Sequence, residues 1–229
     1  MRNRHCILIA ICLITAGSLH SRVAVAGCTS KPAPGVDWSG CNKTNKILSG
    51  RKLSGSELSS TDFSSSNLAS SELSDADMSR AILVRSDMRK ANLSGANLSK
   101  ALAFRADFTD ANLEGADLTK AEFSRANLTN TVLTDAAMDK SEFGRVNFGG
   151  ALLQRVTITY AHLARADFRK AKLDDADLTG SHLYLANFKS TDLSRVKGLT
   201  FEQISMACGD DNTILPESIE ERPEWRCID

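Results

Sequence analysis

Arginine returns at intervals of twenty along the middle of this chain, at Arg85, Arg105, Arg125, Arg145 and Arg165. A guanidinium is a planar fork of donors suited to carboxylate, sulfate or phosphate. Five of them in a column would suit an anionic polysaccharide, a lipid headgroup or a nucleic acid, provided the fold sets residues twenty apart side by side. The competing use is local pairing, because Asp87, Asp107 and Asp167 lie two residues on from three of them. A shorter basic column, Arg80, Lys100, Lys120 and Lys140, lies among Asp117, Glu122 and Glu142 and reads as a solvated face of mixed sign. The same interval joins Glu122, Glu142, His162 and His182, residue types that ligate metals. A flat column gives them no enclosed tetrahedral cage, so no metal and no other cofactor is expected. It also joins Ile82 to Leu102 and Val84 to Phe104, four apolar residues at outward positions and hence a candidate interaction patch. The alternative there is that Phe104 turns inward to fill the space left by Ala103.

The element that must position these columns repeats every five residues. Apolar residues occupy Leu48, Leu53, Leu58, Phe63, Leu68 and onward to Leu193, with a skip at Ala103. A small residue, most often Ala, stands two places before each, as at Ala91, Ala96 and Ala106, and Asp or Asn usually lies between. Five is neither the helix period nor the strand period, so each unit must turn and return its apolar residue to a shared interior. Sorting the apolar residues by twenties gives four faces, here A to D in chain order. Face A runs through Leu48, Leu68, Met88, Phe108, Leu128, Phe148, Phe168 and Phe188; face B is Leu throughout, from Leu53 to Leu193. Face C runs from Leu58 to Leu178, and face D through Phe63, Leu83, Ala103, Phe123, Phe143, Leu163 and Leu183. All the central phenylalanines fall on faces A and D, which an unrelated coil length would not produce.

The unit Ala-(Asp/Asn)-Leu-x-x resembles the pentapeptide-repeat family over about two-thirds of the chain. The resemblance implies an all-β fold, a right-handed quadrilateral parallel β-helix with four repeats in each twenty-residue coil. Some thirty units make about 7.5 coils, a rod of about 36 Å at ~4.8 Å per rung. The repeat reads over 46–197, between an N-terminal cap at 27–45 holding Trp38 over the first coil and a C-terminal cap at 198–229. Thr200 to Gln203 has the form of a capping box opening a short helix to about Ala207. The flanking segments GVDWSGC and GLTFEQISMACGDDNTILP resemble the flanks of some bacterial members. With that resemblance goes an expected pairing of Cys28 with Cys41 and Cys208 with Cys227, although four cysteines permit three pairings.

Residues 1–26 read as a secretory signal: a basic start, an apolar run from Cys6 to Gly17, and Ala24-Val25-Ala26 before the cleavage point. An exported, oxidised domain follows, periplasmic or secreted. Val25-Ala26-Gly27-Cys28 also resembles a lipoprotein box, which would anchor the chain through a lipid on Cys28. The chain carries 28 basic and 28 acidic residues, and loss of the leader removes three arginines, so net charge selects no partner. Motifs for a serine nucleophile elbow, a phosphate loop, a zinc protease or a redox dithiol are absent. The reading is therefore a non-enzymatic exported scaffold that binds another protein, a second copy of itself included. The alternative is an envelope binder of anionic polymer or lipid through the Arg column. Some relatives resemble acidic DNA-mimicking rods that protect topoisomerases in the cytoplasm. This chain departs from them in its leader, its Arg column and its near-neutral charge, and nucleic-acid partners are not expected.

Overall fold

The fold of each repeat follows from where its five backbone amides go. The computed structural model describes residues 27–227, and the signal-like segment lies outside them. In the unit from Ala91 to Gly95, the Ala91 amide donates back to the Met88 carbonyl at 3.1 Å and closes a turn. Asn92 donates to Ser71 of the preceding coil at 2.9 Å, while Leu93 and Gly95 donate to Asn112 and Glu114 of the following coil at 2.7 and 2.9 Å. Only the fourth amide, on Ser94, has no place in this ladder; it donates to Oδ1 of Asn92 at 3.2 Å. The preference for Asp or Asn at the second position is thus the solution to a backbone problem, an Asx turn repeated along the chain.

The fifth residue closes each corner with a positive φ, for example 66° at Gly95 and 57° at Arg105. This is the third position of a type II-like turn, where glycine is the unstrained occupant. Most corners here carry Ser, Asp, Arg or Lys instead, at about 1 kcal/mol each.

Parallel bridges join second-position residues twenty apart from Asp37 with Glu57 through to Asp177 with Lys197, Lys172 and Asp192 excepted. Each side pairs through a single residue, so the ladder consists of isolated bridges, and no longer strand forms among the described residues. The first and third residues of each unit point inward and are buried, as with Ala96 and Leu98. Stacked rings mark the rung spacing: Phe148, Phe168 and Phe188 lie 4.9 Å apart, centroid to centroid. Phe108 and Phe123 lie 5.1 Å apart across the corner between faces D and A.

Both ends differ from the sequence-based boundaries. The ladder begins at Asp37, inside the segment expected to be an irregular cover. Trp38 and Lys43 take the central inward positions of that first coil, rather than Trp38 lying over it. Lys43 is tolerated there because its ammonium donates to the Cys28 carbonyl at 2.6 Å and sits 3.7 Å from the centre of the Trp38 ring. The Cys28–Cys41 disulfide closes this end. At the other end, α1 (Phe201–Ser205) starts with the capping box between Thr200 and Gln203. Its extra residues stretch the register, so Asn187 bridges Cys208 and Asp192 bridges Ile214, and pairing continues beyond the expected end of the repeat. Gln203 ties α1 to the last full coil through the carbonyls of Leu178 and Ser181, and Cys208–Cys227 closes the tail.

Two glycines separate conformation from space. A Cβ on Gly115 meets nothing within 4 Å but φ is 65°, whereas Gly144 has ordinary φ and its Cβ would touch Ser124 Oγ at 3.7 Å. Gly115→Ala should cost about 1 kcal/mol and Gly144→Ala well under half of that, read by urea denaturation of both variants. Burial, with the nearby Lys46 charge, holds the Lys43 pKa below its ordinary value of 10.5. The unfolded chain therefore binds this proton more tightly, and Lys43 contributes stability that rises with pH between its folded and ordinary values. Thermal unfolding of Lys43→Met across pH 8–11 should lack that rise.

A candidate binding face

Every side-chain column singled out in the sequence meets face D or its edges. Its second positions carry Ile82, Leu102, Glu122, Glu142, His162 and His182, bridged in that order. Its fourth positions carry Val84, Phe104, Ser124, Gly144, Ala164 and Tyr184. The column from Arg85 to Arg165 occupies its far corner, and Arg80, Lys100, Lys120 and Lys140 occupy its near corner, all with positive φ.

The four apolar residues singled out in the sequence stand at outward positions of face D. Ala103 is fully buried, Phe104 stays outward and 38% exposed, and Ile82, Val84 and Leu102 are partly buried around it. Phe104 does not turn inward; Ala103 holds the central inward position of its repeat. The guanidinium carbons of Arg105 and Arg125 lie 5.1 and 5.9 Å from the centre of the Phe104 ring.

Local pairing of the Arg column does not occur. None of its five members forms an ion pair among the described residues. Asp87 pairs with Arg89 at 2.7 Å, Asp167 with Arg169 at 2.6 Å, and Asp107 lies 3.9 Å from Arg89. Arg89 and Arg169 share face A with those acids, while the Arg column stands at the preceding corner. The Arg89 hydrogen bond holds the Asp87 carboxyl below its usual range. The near-corner cations also lack ion pairs among the described residues, despite the acids nearby in sequence.

Lower on the face, His162 Nδ1 lies 3.5 Å from a Glu142 carboxylate oxygen. The His162 and His182 rings stack at 5.0 Å, and Tyr184 continues the stack at 6.3 Å from His182. No cluster of three or more potential metal ligands forms among the described residues. Between this column and Arg125, Arg145 and Arg165 runs a shallow groove of about 470 Å³, floored by Ser124, Gly144 and Ala164.

One feature of the face escapes a side-chain reading. On face A every second position from Asn67 to Asn187 is Asp or Asn, and each accepts the fourth-position amide, as with Thr109 to Asp107 at 3.0 Å. On face D the second positions from Ile82 to His182 cannot do this: Ile, Leu and His offer no suitable oxygen there, and Glu carries its carboxylate one methylene too far. The amides of Val84, Phe104, Ser124, Gly144, Ala164 and Tyr184 accordingly find no acceptor among the described residues. Six successive rungs therefore present an unpaired N–H, five of them beside a corner arginine and the sixth beside Leu185. The signal in the sequence is the run of six second positions lacking Asp and Asn.

A four-sided parallel solenoid with outward columns at twenty-residue spacing defines a repeat protein of the β-helical class. The family model of pentapeptide repeats matches residues 48–80, 71–103, 106–145 and 161–197, more than half of the chain. The chain belongs to the pentapeptide-repeat family, whose members fold as right-handed quadrilateral β-helices. Among solved structures it is similar to HetL, a pentapeptide-repeat protein involved in heterocyst differentiation regulation from the cyanobacterium Nostoc sp. strain PCC 7120. That match has 25% identity over 84% of this chain and 88% of HetL, with a TM-score of 0.48. It is also similar to trypsin-treated QnrB1, a plasmid-mediated fluoroquinolone resistance protein, with 19% identity, 78% and 89% coverage and a TM-score of 0.50. No curated protein matches the chain significantly.

Amide hydrogen exchange should separate the two faces. The fourth-position amides of face D, from Val84 to Tyr184, should exchange close to intrinsic rates, and those of face A, from Ala69 to Lys189, much more slowly. Equal protection of the two columns in a residue-resolved NMR experiment would show that the amides of face D are not free.

Proposed function

We propose that this chain is an exported, non-enzymatic scaffold that binds another protein through the upper rungs of face D. The observation that carries the reading is the exposed Phe104 ring with two unpaired arginines over it. An aromatic anchor edged by Arg is the composition that dominates protein interfaces, whereas Lys, Glu and Asp are depleted from interface centres. Ile82, Val84 and Leu102 widen the anchor into a patch. The partner is accordingly a protein with an apolar pocket rimmed by carboxylates. The side walls of a regular solenoid give shallow grooves rather than a deep cavity, which fits binding better than catalysis. Family members are generally non-enzymatic structural or interaction proteins.

Two disulfides support an oxidising, exported compartment. No helix among the described residues is long and apolar enough to cross a membrane. A Cys28 sulfur bonded to Cys41 cannot also carry a thioether-linked lipid, so bridge and lipid anchor exclude each other. This favours the soluble periplasmic or secreted form.

The test is affinity capture from envelope extract followed by titration of the purified captured protein. Phe104→Asp and Arg105→Asn should each weaken that complex by about 2 kcal/mol or more, while Leu152→Asp, on face B, leaves it intact. Equal losses from Leu152→Asp and Phe104→Asp, or from neither, would remove face D as the docking site. A complex of the chain with itself that depends on Phe104 would instead identify the partner as a second copy.

A further inference from the structure

We infer that the rods join end to end: the N-terminal coil of one copy docks on the C-terminal cap of the next, in an open head-to-tail series. This contact lies at the two ends of the solenoid, goes beyond the docking of another protein on face D, and does not depend on it. Three observations support a second copy as the occupant.

The first is charge. Residues 27–52 carry Lys31, Lys43, Lys46, Arg51 and Lys52 against one acid, Asp37. Residues 199–227 carry seven acids against Arg222 and Arg226. The body between them, 53–198, is balanced, with eighteen basic and nineteen acidic residues. The near-neutral chain is thus a rod with a positive head and a negative tail. These charges have no partners within the chain. Neither the head cations nor Asp211, Glu217, Glu220, Glu221 and Glu224 form an ion pair among the described residues. Arg222, beside those acids in sequence, instead donates to the carbonyls of Asp210 and Thr213 at 3.1 and 3.3 Å.

The second is an unfinished edge at the head. Inside the rod a second-position residue pairs both backbone groups: the Asn92 amide donates to Ser71, and its carbonyl accepts from Leu73. In the first coil Asn42, Ile47 and Lys52 pair neither group among the described residues. An open edge of this kind is a template for another chain. Ile47 stands on it 79% exposed, with the exposed Lys46 before it and the exposed Arg51 and Lys52 beyond.

The third is a receiving cleft at the tail. Next to the last bridge, Asp192 with Ile214, residues of the cap enclose a cleft of about 600 Å³. Ile214, 51% exposed, lines it with Leu215 and Ile219, and Asp211 and Glu220 add carboxylates. The head is an apolar knob among cations and the tail is an apolar hollow among carboxylates. Ile47 of one copy seats against Ile214 and Leu215 of the next, with Lys46 and Lys52 facing Asp211 and Glu220. Twofold pairing is disfavoured by the same charges, because head on head gathers cations and tail on tail gathers acids. The two ends face opposite ways along one axis, so the contact is heterologous and each added copy leaves a free head and a free tail.

The experiment is sedimentation velocity of the exported chain, from dilute solution to its highest soluble concentration, at low and high salt. The weight-average mass should rise with concentration beyond two protomers, and association should weaken as salt rises. Ile47→Ala should weaken it by about tenfold or more, with the melting temperature of the parent chain because Ile47 is exposed. Lys46→Glu with Lys52→Glu, and in a second chain Asp211→Lys with Glu220→Lys, should each weaken self-association by about tenfold or more. An equimolar mixture of these two charge-reversed chains should recover it, since every head then finds a complementary tail on the other chain. A variant that had merely misfolded would not recover on mixing. Phe104→Asp should assemble like the parent, and Ile47→Ala should keep the protein captured through face D, so the two contacts fail separately. A chain that stays monomeric or stops at a dimer overturns the inference. So does Ile47→Ala that associates like the parent, or a mixture of the reversed chains that fails to recover.

Discussion

The amide of the fourth residue in each repeat has no acceptor in the solenoid ladder, and the surface of the rod is organised around that deficit. The other four amides are spent on the turn and on the coils above and below, as in the unit from Ala91 to Gly95. An Asp or Asn at the second position takes the fifth and seals that side. Face A is sealed in this way from Asn67 to Asn187, and its outward polar groups are consumed by the backbone and by pairs such as Asp87 with Arg89. Face D is not sealed. One backbone can thus carry different surfaces, according to which rungs give up the Asx turn, because the inward Leu, Phe and Ala are untouched by the exchange.

The core makes that exchange affordable to the fold. Each coil packs only on its neighbours, so stability is close to a sum of nearest-neighbour contributions, and a rung without its Asx bond loses a local hydrogen bond rather than the fold. Directly behind face D lie Phe123 and Phe143, in contact with Phe108 and Phe148 of face A across the shared corner. These rings back face D with aromatic packing that face B, Leu throughout, lacks. The exposed ends need stronger devices, and there the chain departs from its repeat: Lys43 on Trp38 at one end, α1 and Ile204 at the other, with a disulfide at each.

The sequence carried the coil plainly, because the period of five and the restriction of phenylalanine to two faces are consequences of packing that survive without coordinates. The columns on face D followed from the same register, and Phe104 stands outward beside the buried Ala103. The ends were less legible. Trp38 and Lys43 fill inward positions that Leu fills elsewhere, and Lys is disguised there by a carbonyl acceptor fifteen residues away. After α1 the pairing interval lengthens to twenty-one and then twenty-two residues, which hides Cys208 and Ile214 from any fixed count. The unpaired amides were legible only as an omission, since a backbone donor has no letter of its own and shows in the sequence through the side chain that fails to cover it.

Selectivity on such a surface has to come from repetition rather than from any one contact. An exposed guanidinium and carboxylate contribute ~0–1 kcal/mol together, too little to hold a ligand. Successive contacts accumulate only when the ligand repeats in step with the rungs, for then each further contact forms at high effective concentration and without new ordering cost. A rigid solenoid with a fixed rung height has already paid that ordering in folding. The rod is therefore a ruler along its axis, and across the width of face D Glu142 and the histidines stand opposite the arginines. A ligand out of step with the rungs makes only scattered surface pairs, so spacing, rather than total charge, limits what such a surface could hold.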